Sequence, residues 1–121
     1  MEQKVKDTIA QYTDAWNTKG IEIIAAKLSA FWTAESTYVD PKNPKVTGIE
    51  ELASFIQSVY DQMPDLVIID TSKIDYHNNS GRFFWTMKIK NEVILTGMDY
   101  FEMNDQHQLT KIVGFFDEEY K

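Results

Sequence analysis

Apolar residues recur at helical spacing through the first part of the chain. Val5, Ile9, Tyr12 and Trp16 follow one another at intervals of four, three and four residues, which predicts one apolar stripe on an amphipathic helix. Gly20 can adopt the left-handed conformation that ends a helix, so a second helix is expected to begin after it. The apolar side of that second helix would consist of Ile21, Ile24, Ala25, Leu28 and Trp32.

An extended pattern replaces the helical one between Glu35 and Pro41. Tyr38 and Asp40 fall on the same side of this predicted strand, because successive side chains of a strand point to opposite faces. A loop containing Pro41 and Pro44 is expected to follow, since proline cannot continue a central strand.

A third helix is predicted from Thr47 to the Met63-Pro64 pair. Thr47 and Glu50 have the spacing of a capping box, in which two side chains bond to free backbone N–H groups at a helix start. The apolar side of this helix is predicted to carry Ile49, Leu52, Ala53, Ile56, Val59 and Tyr60.

From Leu66 onward the apolar residues alternate with polar ones, which predicts strands. The expected strands are 66–76, 82–90, 93–103 and 109–116, with a tight hairpin at Asn91-Glu92. Short links between consecutive strands imply an antiparallel meander. Helices first and strands later predict an α+β domain that spans residues 1–121, with the helices on one face of the sheet.

Composition narrows the range of functions. A net charge of −7 with a single arginine argues against a nucleic-acid partner, because phosphate backbones require clustered Lys and Arg. The chain has no cysteine and no apolar run long enough to span a bilayer, so we expect a cytoplasmic protein without a membrane partner. His77 and His107 are isolated in predicted turns, so neither a metal site nor a cofactor is expected.

Several short strings, in this order and spacing, resemble the nuclear-transport-factor-2-like superfamily (NTF2-like, also called SnoaL-like). The resemblance covers nearly the whole chain and implies a cone-shaped half-barrel, with three helices packed on a curved, mostly antiparallel sheet. This fold hosts isomerases, dehydratases, cyclases, hydrolases and non-catalytic adaptors, so it does not define an activity. The strings are 12–17, 38–41, Gly48, 97–101 and 112–116.

One branch of the superfamily, the ketosteroid isomerases, is similar at the residues that carry chemistry. Their general base is an aspartate followed by proline at the end of the first strand, which Asp40 matches. Their oxyanion-binding donors are a tyrosine on the first helix and an aspartic acid on a late strand, matched by Tyr12 and Asp99. The resemblance implies proton transfer next to a carbonyl, and it requires all three groups to reach one enclosed cavity.

Each of these residues also has a structural interpretation. In that interpretation Asp40 is a capping carboxylate that begins a turn, Tyr12 is a core tyrosine, and Asp99 is a hydrogen-bonded structural carboxyl. The two hypotheses are therefore a carbonyl isomerase or cyclase and a non-catalytic ligand-binding or dimerisation module.

The expected ligand is an apolar small molecule, held in a pocket with aromatic walls. Phe84 and Tyr100 lie on otherwise polar strand faces, which makes a homodimer through the outer face of the sheet plausible. The side chains predicted to line the pocket are Trp16, Trp32, Tyr38, Phe55, Trp85, Phe101 and Phe115.

Overall fold

The computed structural model describes residues 2–71 and 73–117. Its helices are α1 (Glu2–Trp16), α2 (Ile21–Leu28) and α3 (Gly48–Gln62). Its strands are β1 (Trp32–Asp40), β2 (Asn43–Thr47), β3 (Leu66–Asp70), β4 (Asp75–His77), β5 (Ser80–Ile89), β6 (Glu92–Met103) and β7 (Leu109–Phe116).

The strands form one open sheet in the order β2-β1-β7-β6-β5-β3. The short strand β4 also pairs with β5, at residues that β3 does not cover. Only β1 and β7 run parallel, while the other pairs are antiparallel. Register irregularities in β1, β5 and β6 bend these strands, as β-bulges do. The predicted fold is confirmed, because three helices pack on a curved, mostly antiparallel sheet that does not close.

The core lies between the helices and the inner face of the sheet. The predicted stripe of α1 is buried along its whole length, from Val5 to Trp16. From the sheet, Phe83, Phe101 and Ile112 are almost completely inaccessible to solvent. Each such side chain contributes about 1.5–3 kcal/mol to folding, so the buried face of α1 holds the helix firmly over the sheet.

Three expectations about the secondary structure were wrong. Trp32 begins β1 instead of continuing α2. The loop predicted around Pro44 contains strand β2, and proline is tolerated there because β2 is an edge strand that pairs with β1 alone. The strand expected over 66–76 is divided into β3, whose Asp70 pairs with Trp85, and β4, whose Asp75 pairs with Arg82. Ser72, within that segment, is outside the described residues.

Two local interactions also differ from the prediction. The backbone N–H of Thr47 donates to Glu51 Oε1 at 2.8 Å instead of to Glu50, and the Thr47 side chain makes no capping bond. The β5–β6 hairpin turns at Lys90-Asn91, one residue earlier than expected, where both residues have positive φ. Asparagine tolerates that conformation better than glutamate would, which explains the earlier turn.

The exposure of one residue differs as well. Ile21 was expected on the buried side of α2, but it is 46% exposed. Within the described ranges, no helix is both long and apolar enough to cross a membrane.

Candidate functional site

A narrow cavity of about 50 Å³ lies between α1 and the inner face of the sheet. It has room for a few water molecules and is smaller than the 300–1,000 Å³ typical of drug-sized ligand sites. The cavity is lined by Tyr12, Thr13, Trp16, Tyr38, Ile68, Asp70, Phe83, Trp85, Met87, Asp99 and Phe116. A ligand that fits without side-chain movement must therefore be small.

Asp99 lies on β6 with its carboxyl in the cavity wall, and it is 6% exposed. The Trp85 indole N–H donates to its Oδ1 at 3.0 Å, which is the hydrogen bond it receives among the described residues. Burial raises the pKa of Asp99 to about 7, against the opposing effect of the Trp85 bond, and the charges of Asp40 and Asp70 raise it further. A substantial fraction of Asp99 is therefore a neutral acid at neutral pH, able to donate a hydrogen bond.

Tyr12 reaches the same cavity from α1. Its ring is 2% exposed, and its hydroxyl has no hydrogen-bond partner within residues 2–71 and 73–117. Burial raises the pKa of Tyr12 well above the usual value, the nearby charge of Asp99 adds to that rise, and the nearby Trp16 indole N–H, which can only donate, opposes it. Because a buried hydroxyl without a partner costs about 1–3 kcal/mol, the Tyr12 O–H is a donor without an acceptor among the described residues.

Asp70 is a cavity carboxylate that the sequence analysis missed. It ends β3, and the Thr13 hydroxyl donates to its Oδ1 at 2.7 Å. Burial raises the pKa of Asp70, while the Thr13 hydrogen bond lowers it. A signal was present in the sequence, because Asp70 continues the inward face begun by Leu66 and Ile68, where an apolar residue is expected.

Asp40 is buried but does not line the cavity. Its Oδ1 accepts the backbone N–H groups of Lys42 and Asn43 at 2.9 and 3.0 Å. The Asn43 side-chain amide lies within 2.9 and 3.1 Å of its two oxygens, and the Tyr38 hydroxyl donates to Oδ2 at 2.7 Å. Asp40 thus holds the β1–β2 turn and touches the cavity only through Tyr38, which does line it.

Strand β7 separates the two buried aspartates. Asp99 on β6 pairs with Gly114 of β7, and β7 in turn pairs with β1, which ends at Asp40. A Cβ atom at Gly114 would lie 3.2 Å from Asp99 Oδ1 and 3.4 Å from Asp40 Cβ. Both side chains therefore cover Gly114 on the same face of the sheet, each from one of the two strands that neighbour β7. The proposed trio is not assembled around one cavity, since only Tyr12 and Asp99 reach it.

Of the predicted pocket residues, Trp16, Tyr38 and Trp85 line the cavity. The other four lie elsewhere, and Phe116 takes the position expected for Phe115, which points to the outer face and is 47% exposed. From Ile112 onward the inward side chains of β7 fall on even-numbered positions, which explains the difference.

Each of the remaining three aromatic side chains packs against a residue that lines the cavity. Trp32 stacks on Tyr12 at 6.3 Å between ring centroids and donates its indole N–H to the Gly48 carbonyl oxygen. Phe55 packs against the rings of Trp16 and Tyr38. Phe101 packs between Phe83 and Tyr76 in the same way.

No protein-family model matches the sequence, and no curated protein matches it significantly. Solved structures are similar to it throughout. A SnoaL-like family protein from Agrobacterium tumefaciens, proposed to be an isomerase, superposes with a TM-score of 0.87 at 23% identity, over 95% of this chain and 98% of that one. A proposed SnoaL-like polyketide cyclase from Jannaschia sp. CCS1 gives 0.74 at 14% identity, over 95% and 86%.

An NTF2-like protein of unknown function from Exiguobacterium sp. 255-15 gives a TM-score of 0.71 at 18% identity, over 92% of this chain and 98% of that one. At these identities the likeness concerns the fold and leaves the activity open. The chain has the NTF2-like fold in the form found in SnoaL-like proteins.

Proposed function

We propose that the chain binds a small molecule in the cavity between α1 and the sheet, through an oxygen atom that accepts hydrogen bonds from Tyr12 and Asp99. The observation that carries the proposal is the buried Tyr12 hydroxyl, which has no partner among the described residues and faces the same cavity as Asp99. A phenol and a neutral carboxylic acid are both O–H donors. Two such donors fixed in a dry site stabilise negative charge that develops on a carbonyl oxygen.

The activity that we propose for this site is proton transfer next to that carbonyl, as an isomerase or a cyclase would perform it. The proton acceptor would be the Tyr38–Asp40 pair, because Tyr38 lines the cavity and its hydroxyl donates to Asp40 Oδ2 at 2.7 Å. A proton leaving carbon would pass to the Tyr38 oxygen while the Tyr38 proton moves to Asp40. The electron pair of the C–H bond would form the enolate, and the reverse transfer to a different carbon would complete an isomerisation.

Small aliphatic β,γ-unsaturated ketones provide the test, because their isomerisation produces a conjugated enone with a strong ultraviolet absorbance. The wild type is expected to turn over at least one such ketone. Asp99→Asn and Tyr12→Phe should each lower kcat by about 10²-fold or more, in the range seen for loss of one oxyanion donor. Asp40→Asn and Tyr38→Phe should lower kcat by similar factors to each other, because both break the same relay.

Two outcomes would change this assignment. Turnover that is unaffected by Asp40→Asn and Tyr38→Phe would reject the relay while leaving the oxygen site in place. Ketone binding without turnover, weakened by Tyr12→Phe, would favour the alternative function of a non-catalytic ligand-binding module.

A second copy of the chain is the partner that we propose for the outer face of the sheet. Phe84, Met98 and Phe115 lie directly opposite one another on β5, β6 and β7, and the two phenylalanines are 40% and 47% exposed. Adjacent apolar side chains on one face are typical of protein interfaces. Light scattering of the wild type should give the mass of a dimer, and Phe115→Lys should give that of a monomer. A cytoplasmic location stays a prediction.

A further inference from the structure

The charged side chains among the described residues that line the cavity are all acidic. Of the side chains that line it, two are carboxyl groups, Asp70 and Asp99, and none of the described ones is a lysine, arginine or histidine. Asp40 adds a third carboxylate just behind the wall, and its charge acts on Asp99. The Asp70 carboxylate loses solvation in this wall, and no cationic side chain among the described lining residues offsets its charge or that of Asp40, so a positively charged ligand would be favoured there and an anionic one rejected.

The aromatic side chains give the same preference by a different interaction. Six aromatic residues line the cavity, and the negative face of an aromatic ring attracts a cation that lies within about 6 Å. Lysine, arginine and organic ammonium groups all satisfy this interaction, and desolvated sites strengthen it. The rings are those of Tyr12, Trp16, Tyr38, Phe83, Trp85 and Phe116.

Asp70 is the carboxylate best placed to pair with such a cation. It is half-buried at the end of β3, it accepts one hydrogen bond from Thr13, and no basic side chain within the described ranges forms an ion pair with it. The Thr13 hydroxyl is attached to α1, so the carboxylate is held in place before a ligand arrives. Tyr12 lines the same cavity, and its hydroxyl, which has no partner among the described residues, could bond to a polar group of the ligand.

We propose that the ligand of this cavity is a small organic cation, whose protonated or alkylated nitrogen lies between the Asp70 carboxylate and the aromatic rings. This proposal rests on the proposed function for the location of the site, and it adds the chemical class of the ligand. The oxygen bound by Tyr12 and Asp99 and the nitrogen bound by Asp70 would be two ends of one small molecule. The overall charge of −7 would raise the local concentration of such a cation.

The test compares three probes that share one isopropyl group: isopropylammonium, isopropanol and isobutyrate. Binding can be followed by the shifts of the tryptophan indole N–H signals in nuclear magnetic resonance spectra, because Trp16 and Trp85 line the cavity and millimolar affinities are accessible. We expect isopropylammonium to bind at least about tenfold more tightly than isopropanol, and isobutyrate to bind more weakly than either. A tenfold change corresponds to about 1.4 kcal/mol.

The matched variants are Asp70→Asn and Asp105→Asn. The first keeps an oxygen that can accept the Thr13 hydrogen bond but removes the charge, and it should lower the affinity for isopropylammonium about tenfold without changing that for isopropanol. The second removes one charge from an exposed turn residue that does not line the cavity, and it should change neither affinity. Thermal unfolding of both variants would establish that they are folded.

Equal affinity for the ammonium and the alcohol, or no effect of Asp70→Asn on the ammonium, would overturn the proposal. Absence of binding by all three probes would overturn it too. The oxygen site is judged separately, because ketone turnover or Tyr12-dependent binding of isopropanol would persist if only the preference for a cation were wrong.

Discussion

The two buried aspartates on either side of β7 differ in how their hydrogen-bonding capacity is used. The Asp40 carboxylate receives hydrogen bonds from two backbone N–H groups and two side chains, which occupy both of its oxygens. Asp99 receives one hydrogen bond, from Trp85, and faces a cavity. The first arrangement stabilises a turn, whereas the second leaves a carboxyl group able to interact with a ligand.

This difference indicates which buried polar groups of the fold are available to bind a ligand. A carboxylate that is saturated by its own turn has little to offer a ligand directly. The Asp99 carboxyl accepts one hydrogen bond and the Tyr12 hydroxyl has no partner among the described residues, so both can still bond to a ligand in the cavity they share. Substitutions in each of the two regions test this difference.

The largest expected effect is a pH-dependent stability that originates at Asp99. In the unfolded chain Asp99 loses its proton near pH 3.8, whereas in the folded protein its pKa is about 7. Between these values the folded state binds more protons, so the free energy of unfolding falls as pH rises and levels off above pH 7. The full difference corresponds to roughly 4 kcal/mol. Asp70, whose pKa is also raised by burial, acts in the same direction.

Asp99→Asn removes this dependence, and its amide oxygen can still accept the Trp85 indole N–H. Chemical denaturation at pH 5 and pH 8 should show that the variant gains stability relative to the wild type as pH rises. If wild type and variant differ by the same amount at both pH values, Asp99 is ionised in the folded protein throughout. The cavity would then be a site with two fixed negative charges.

The next largest effect is expected at the saturated carboxylate. Asp40→Ala leaves the buried Tyr38 hydroxyl without its acceptor and removes the bonds that hold the Lys42 and Asn43 backbone N–H groups. We expect a loss of about 3 kcal/mol in the free energy of unfolding, measured by urea denaturation at pH 7.

Asp75→Ala is the control for this substitution. Asp75 also accepts a charge-assisted hydrogen bond, from Arg82 at 3.0 Å, but both side chains of that ion pair are 56% exposed. Its loss should cost under about 1 kcal/mol. Equal effects of the two substitutions would mean that the network around Asp40 contributes no more than a surface ion pair.

The elements of the fold were predictable from the sequence because periodicity reports burial directly. The stripe of α1 is buried as its spacing predicts, and so are Phe83, Trp85, Phe101 and Met103 of β5 and β6. The edge strand β2 was missed because Pro44 argues against a strand everywhere except at an edge, and edge position is a property of the whole sheet.

The site was less predictable than the fold. Tyr12 and Asp99 were found through a resemblance, and both reach the cavity. Asp40 was found in the same way, but whether a carboxylate faces a cavity or its own turn depends on hydrogen bonds that are set by Asn43, three residues later. Asp70 was missed because its partner Thr13 is 57 residues away and no local pattern joins them.

The smallest expected effect on stability is at Tyr12, and its sign distinguishes a binding group from a structural one. Tyr12→Phe removes a buried hydroxyl that has no partner among the described residues, while the ring keeps its packing against Phe31, Trp32 and Phe83. We expect the free energy of unfolding to stay constant or rise by about 1 kcal/mol, because the desolvation cost of the hydroxyl disappears. Tyr60→Phe is the matched control, since the Tyr60 hydroxyl donates to the Trp16 carbonyl oxygen. That change should lower stability by about 1 kcal/mol in the same urea denaturation. A comparable loss of stability in Tyr12→Phe would mean that the Tyr12 hydroxyl stabilises the fold. It would then resemble the hydrogen-bonded Asp40 and would not be a group available to a ligand.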